Sequence, residues 1–242
     1  MHVELGDTNF PKAAGSGGSF GASSSGSALF DACTNLRNQL AQAAGIDPAQ
    51  AQFSGGEIHG GGKSVTLASL AGPRGMQVDG EIKPGSMKTK FSQQSYGAHF
   101  AEVAVDIDTG EPRVRRMLGV FAAGRVLNEK TARSQAIGGM TFGIGAALME
   151  QMVLDDRFGF YVNHDLAEYH VPVHADVPNI DAYFLPEIDD KANPLKSKGV
   201  GELGICGAGA AIANAIYNAC GVRVRDYPLT LDKILGQLPL SV

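Results

Sequence analysis

One carboxylate set among glycines is the feature of this sequence best suited to chemistry: Lys198-Gly199-Val200-Gly201-Glu202-Leu203-Gly204, just ahead of an apolar, alanine-rich run from Ala208 to Ala219. Glycine on both sides lets the backbone approach a ligand and adopt dihedrals that a β-carbon forbids. Glu202 is therefore a candidate general base carried on a tight turn and aimed into a cavity. The plainer alternative is an anion near the start of the following helix, where free N–H groups and the dipole favour negative charge.

Two other places could serve the same site. Ser16 to Ser27 is a Gly/Ser-rich loop containing Phe20 and feeding a helical pattern over 28–44 that stops at Gly45. Backbone N–H groups and hydroxyls converging at a helix start suit a phosphate or pyrophosphate; a flexible linker has the same composition. The second place is a helix over about 129–152, capped by Asn128, whose interior holds Gly138, Gly139, Gly143 and Gly145. Each interior glycine costs up to about 1 kcal/mol relative to alanine, so something presses closely on it, either another helix or a bound group. Gln135, one turn earlier, can donate to and accept from such a group, or can be an exposed glutamine beside a tight helix crossing.

The remaining elements are scaffold. Residues 3–12 read as a short strand ending at Pro11, and 46–90 as a surface excursion with a hairpin tip at Gly60-Gly61-Gly62. Alternation over 97–107 and 113–121 around Asp108-Thr109-Gly110 predicts a β-hairpin. Short strands and loops follow over 153–190. The apolar helix to Ala219 ends at Gly221, then a strand over 222–226 and a last helix over 231–235. Histidines 164, 170 and 174 match neither a single helical face nor an established zinc pattern.

Composition bounds the rest. The 242 residues, 44% hydrophobic, suffice for one large or two small domains with a real core. A net charge of −5 and no Lys/Arg run with interleaved aromatics argue against a nucleic-acid partner. No apolar run is expected to span a membrane, and Met1 to Leu5 show neither the basic nor the apolar region of an export signal. Cys33, Cys206 and Cys220 are too scattered for a disulfide framework or a C-x-x-C metal site. The 32 glycines exceed the roughly 17 of an average chain and cluster in a few places, as loops approaching ligands do.

Several ordered motifs resemble one family. Gly199 to Gly204, Arg223 to Ile234, Phe91 to Val103 with its Asp108-Thr109-Gly110 turn, and Gly124-Arg125-Val126-Leu127-Asn128 are similar to the C-terminal end of the molybdenum-binding subunit of the xanthine dehydrogenase/aldehyde oxidase family. Leu203 and Gly204 stand where eukaryotic xanthine dehydrogenases have paired prolines, which makes the chain more similar to bacterial aldehyde oxidoreductases. The resemblance runs from about Val3 to Leu235.

It implies an α+β fold of mixed sheets with packed helices, residues 1–242 forming one C-terminal molybdopterin-binding region. It implies Glu202 as the base that takes the proton from a molybdenum-bound hydroxide, Gly17, Gly18, Ser19, Phe20 and Gly21 at the pterin phosphates, Gly201 as a further cofactor-binding residue, and Gln135 beside the metal's oxo ligand. The pterin dithiolene, and no protein residue, holds the metal. The implied cofactor is molybdopterin in its cytosine dinucleotide form, with iron–sulfur and FAD groups on partner subunits. Implied partners are an N-terminal part of the molybdenum subunit, an Fe–S subunit, an FAD subunit, and an aldehyde or N-heterocycle substrate.

The family's upstream glycine–phenylalanine loop and substrate-orienting arginine are missing from this chain, so it is expected to be inactive alone. The expected compartment is the cytoplasm, or the periplasm where a partner carries the export signal. A truncated, non-catalytic pterin-binding or assembly module is the competing reading; a carboxylate at 202 favours the enzyme. A phosphate-loop nucleotide binder fails for want of a G-K-[ST] ending or G-x-G-x-x-G spacing.

Overall fold

The computed structural model describes residues 2–239 and divides the chain into two compact units. The first comprises the chain through Ser16, Gly21–Ser92 and Asp190–Lys196; the second comprises Gly17–Phe20, Gln93–Asp189 and the chain from Ser197 on.

In the first unit, helix α1 (Gly21–Ala43) starts seven residues earlier than its apolar pattern predicts, so half of the Gly/Ser stretch is helical and not loop. Small residues are required there by close approach. A β-carbon on Gly26 would lie 2.7 Å from Leu195 Cδ1, and the segment around Gly80 passes directly over Ala28 and Ala32. The helix is followed by Gly45 at φ +65°, as expected.

Strands β1 (Gln52–Ser54), β2 (Glu57–Gly60) and β3 (Lys63–Thr66) form an antiparallel sheet, and α2 (Leu67–Ala71) follows with Thr66 as its cap. The hairpin tip at Gly61-Gly62 is where the glycines place it. Yet 46–90 is more than a surface excursion: Ile46 and Ile58 are buried with Ala41, and Phe53, Val65, Leu67 and Leu70 pack around them. Residues 3–12 form no strand.

The second unit is built on one sheet. β4 (Tyr96–Val105) and β5 (Pro112–Ala122) form the predicted antiparallel hairpin, with a bulge between Glu102 and Val103. Its turn is tied by Asp106, whose carboxylate accepts from the amides of Asp108 and Thr109, and by Gly110 at φ +76°. These bonds hold the Asp106 carboxyl below its ordinary pKa.

Helix α3 (Glu129–Leu148) is capped by Asn128 Oδ1 on the Thr131 amide and ends four residues before the expected stop. The two-residue strands β6 (Leu154–Asp155) and β7 (Phe160–Tyr161) pair with each other, and β8 (Ile180–Phe184) returns parallel to β5, giving the order β4-β5-β8. The crossover through α3 lays that helix on one face of the sheet. Helices α4 (Leu203–Cys206), α5 (Ala208–Cys220) and α6 (Leu231–Leu235) complete the unit. The core is Phe121, Met140, Ile144, Ile212, Ile216, Leu229 and Ile234, all essentially inaccessible.

One further expectation fails. Val222 to Asp226 alternates like a strand but pairs with none; Val222 is buried and Arg223 turns back over the Tyr217 ring, 3.9 Å from its centroid. Leu203–Cys220 does reach 18 residues at a mean hydropathy of 1.3, long and apolar enough by composition to cross a bilayer. That run is broken at Gly207, and its Ala208, Ile212 and Ile216 belong to the core, which accounts for its apolarity.

Candidate functional site

The helix glycines of α3 have two explanations. Gly139 and Gly143 face α4 and α5: a β-carbon at 139 would lie 2.9 Å from the Ile205 amide, and one at 143 would collide with Ala208. Gly204 returns the contact, its own α-carbon set against the Ala136 carbonyl. A helix crossing, and not a bound group, therefore occupies that side. Gly138 is different, because nothing lies within 4 Å of where its side chain would be. It stands on the face of Gln135, one turn along, and leaves open space beside that exposed amide.

Three separated segments meet at the Gln135 end of α3. Gly18 (φ +70°) and Ser19 (φ +60°) both occupy the left-handed region, and for serine that conformation is strained. Ser19 is held there by two contacts. Its hydroxyl donates to Gln135 Oε1 at 2.9 Å, and Gly201 packs so closely that a β-carbon at 201 would lie 2.8 Å from the hydroxyl oxygen.

The Gly201 amide donates to the Gly18 carbonyl at 2.9 Å, while Gly199 abuts the same carbonyl. Glu202 closes the cluster, its Oε2 3.3 Å from the position of a Gly18 β-carbon. Glu202 precedes α4 with φ −111° and ψ −4°, close to the sparsely populated bridge region, and its side chain makes no capping bond. The carboxylate is thus not employed as a helix cap.

The structure accordingly brings Gly17, Gly18, Ser19, Phe20, Gln135, Gly201 and Glu202 into one unit, with Gly17 and Phe20 flanking the strained pair. Gly21 is instead the first residue of α1 in the other unit, where its amide bonds the Ser16 hydroxyl at 3.4 Å. Glu202 and Gln135 are both exposed, so the carboxylate lies on an open edge and not in a cavity. The residues of this chain do not enclose it.

What sequence reasoning missed is the support. Lys198 is nearly inaccessible (6%), and its Nζ sits 2.8 Å from Glu187, 3.1 Å from Asp189 and 3.2 Å from the Gln94 carbonyl. Burial draws the Lys198 pKa down, but the hydrogen bonds to the two carboxylates outweigh it and hold it above the ordinary lysine value. Glu187 is shifted below its ordinary value, chiefly by the Lys198 hydrogen bond.

Glu187 also accepts from the Gly124 amide at 2.6 Å, the Lys198 amide donates to the Ala123 carbonyl, and Ser95 Oγ donates to the Gly199 carbonyl at 2.9 Å. On β4, His99 Nε2 lies 3.0 Å from the Gly204 carbonyl, its ring edge-on to Phe121 at 5.2 Å. Gly199 to Gly204 is therefore pinned at both ends. Only the acidic pair at 187 and 189, ahead of a lysine, signalled any of this in the sequence. Among the described residues, no three His, Cys, Asp or Glu side chains converge as a metal-ion ligand set.

Comparison with known proteins gives the family and the fold. Residues 1–178 match the molybdopterin cofactor-binding domain family. The chain is 54% identical over 237 residues to the aldehyde oxidoreductase molybdenum-binding subunit PaoC of Escherichia coli K12, a match covering 98% of this chain and 32% of that protein. It is 34% identical over 248 residues to the probable hypoxanthine oxidase XdhD of the same organism, covering 98% of this chain and 26% of that one. The crystal structure of the Cu,Mo-CO dehydrogenase in its carbon monoxide reduced state superposes with a TM-score of 0.75 over 93% of this chain and 30% of that one, at 18% identity, a likeness of fold. This chain spans about a third of the length of the relatives it matches.

Proposed function

The chain belongs to the molybdopterin cofactor-binding domain family, and from that premise we propose that it is the C-terminal pterin-binding region of a molybdenum hydroxylase that oxidises aldehydes or hydroxylates N-heterocycles with water as the oxygen source. The observation that carries this reading is the convergence of Ser19, Gln135, Gly201 and Glu202, drawn from three separated segments onto one open edge.

The residues fit the group. Gly138 leaves open space on the Gln135 face of α3, where the Gln135 NH2 group can donate, the Ser19 hydroxyl oxygen can accept and loop backbone lies alongside, polar groups that a phosphorylated, polar-edged pterin requires. Backbone N–H groups of the loop Gly17, Gly18, Ser19 and Phe20 would hold its phosphate end, with Gly201 bonded to the Gly18 carbonyl in support. Gln135, with its oxygen committed to Ser19, offers its NH2 group as a donor. When bound, the molybdenum–pterin group supplies the two-electron oxidation.

The chain's own catalytic contribution is proton transfer. Glu202 removes the proton from the attacking water-derived oxygen as that oxygen adds to the substrate carbon, a role worth typically 10²–10⁴-fold in rate. The pinned backbone from Gly199 to Gly204 fixes where its carboxylate stands, which is what a positioned base requires.

The cytosine dinucleotide form of the cofactor, electron transfer to Fe–S and FAD partner subunits, and a cytoplasmic location complete the proposal. The test is molybdenum and pterin content of this chain purified alone and after co-expression with the part of the E. coli subunit that the match leaves uncovered. Cofactor and aldehyde oxidation arising only in the pair support the reading; cofactor absent from both overturns it.

A further inference from the structure

The sheet of the second unit is covered by α3 and α5 on one face only. On the other, alternate residues of its strands form an apolar strip: Phe100 stands opposite Leu118, and Ala98 opposite Val120, which in turn stands opposite Tyr183. Phe100 and Tyr183 are each 58% exposed, two aromatic rings on one contiguous apolar face.

The charges at the rim are already satisfied within the chain, Arg116 on Glu102 at 2.6 Å and Arg133 on Asp181 at 2.6 Å. What seats here is therefore apolar and is not drawn by unpaired charge. The strip is also coupled to the site, because β4 carries His99, bonded to the Gly204 carbonyl, on the face opposite Phe100.

We propose that this strip is the docking surface for the portion of the molybdenum-binding subunit that lies outside the matched third. The inference rests on the function proposed above. Its occupant follows from coverage: the E. coli relative shares 98% of this chain at 54% identity, yet the match takes up only 32% of that protein, so the remaining two-thirds must pack on this domain somewhere. A rigid three-stranded face with two exposed aromatic anchors is suited to that, since aromatic side chains each bury roughly 150–250 Å² and dominate interface energetics. Another exposed aromatic pair, Phe158 and Phe160, stands at the β6–β7 turn, on a two-stranded ribbon of four paired residues.

The test co-expresses the full chain with the uncovered part of the E. coli subunit and measures one-to-one co-purification and the dissociation constant. Phe100→Lys and Tyr183→Ser, both at exposed positions, are expected to weaken the complex at least tenfold while the Tm of the chain alone stays within a few degrees. Phe158→Glu is expected to leave the complex intact. Absence of a complex with the unsubstituted chain overturns the proposal, as does a complex indifferent to both substitutions. So does a homodimer of this chain that Phe100→Lys dissolves, which would make a second copy the occupant. Molybdenum content separates the two readings: a complex broken by Phe100→Lys but devoid of molybdenum and pterin defeats the proposed function and leaves the surface, whereas a loaded complex indifferent to the substitutions defeats the surface alone.

Discussion

Replacing Lys198 by Met should destabilise the second unit without touching any atom of the candidate site. The substitution keeps the side-chain length and removes the charge, leaving Glu187 and Asp189 facing each other across the space that Nζ occupied at 2.8 and 3.1 Å. Removing one partner of a buried ion pair costs roughly 3–5 kcal/mol. Glu187 and Asp189 retain 24% and 15% exposure, so water relieves part of this, and a loss of about 2–3 kcal/mol is expected. For a chain of this size that is roughly 5–10 °C in Tm.

The sign of the pH dependence provides the sharper check. The Glu187 pKa is lowered from its ordinary 4.5, so its stabilisation is present above that value and lost as pH falls through the folded pKa. The Lys198 pKa is raised from 10.5, so its contribution is present below that value and lost as pH rises through the folded pKa. The deficit of K198M, followed by chemical denaturation between about pH 3 and 8, should be full at pH 7 and shrink as pH falls below the ordinary glutamate value of 4.5. A deficit that is constant across this range, or under 0.5 kcal/mol at pH 7, refutes the account of Lys198 as the anchor of the glycine segment.

Other outcomes follow from the helix glycines and the cap. Gly138→Ala enters open space and should stabilise the chain by up to about 1 kcal/mol of helix propensity in denaturant titration, while lowering molybdenum retention in the co-expressed pair by filling the space beside Gln135. Gly143→Ala meets Ala208 and should destabilise by about 1–3 kcal/mol in denaturant titration, the usual cost of overpacking. Asn128→Ala removes the bond to the Thr131 amide at the start of α3 and should cost about 1 kcal/mol by the same assay.

The sequence disclosed those features in which one residue type answers one local demand. The Asp108-Thr109-Gly110 turn, the Asn128 cap and the Gly221 stop reflect short-range chemistry, and each stands where its residues put it. The carboxylate among glycines and the Gly/Ser loop were equally visible as pieces.

What the sequence could not show is who meets whom. Val222 to Arg225 alternates because one side is buried, but alternation reports burial and not the presence of a neighbouring strand. Gly138 and Gly143 are identical in the chain, and only packing tells the open position from the crossing. Gly21 to Ser27 has poor helix propensity yet is helical, with Gly26 packed so close to Leu195 that a β-carbon there would lie 2.7 Å from it. The Lys198–Glu187–Asp189 anchor joins residues whose relation depends on the chain path through Gly124.

The central claim is that Glu202 is the proton acceptor of a site assembled from the Gly17–Phe20 loop, Gln135 and Gly201. Its most direct test is Glu202→Gln in the co-expressed pair, with molybdenum content and the rate of aldehyde oxidation measured on the same preparation. The account predicts unchanged molybdenum and a rate reduced by roughly 10²–10⁴-fold. A loaded variant that turns over at the rate of the unsubstituted protein would contradict it.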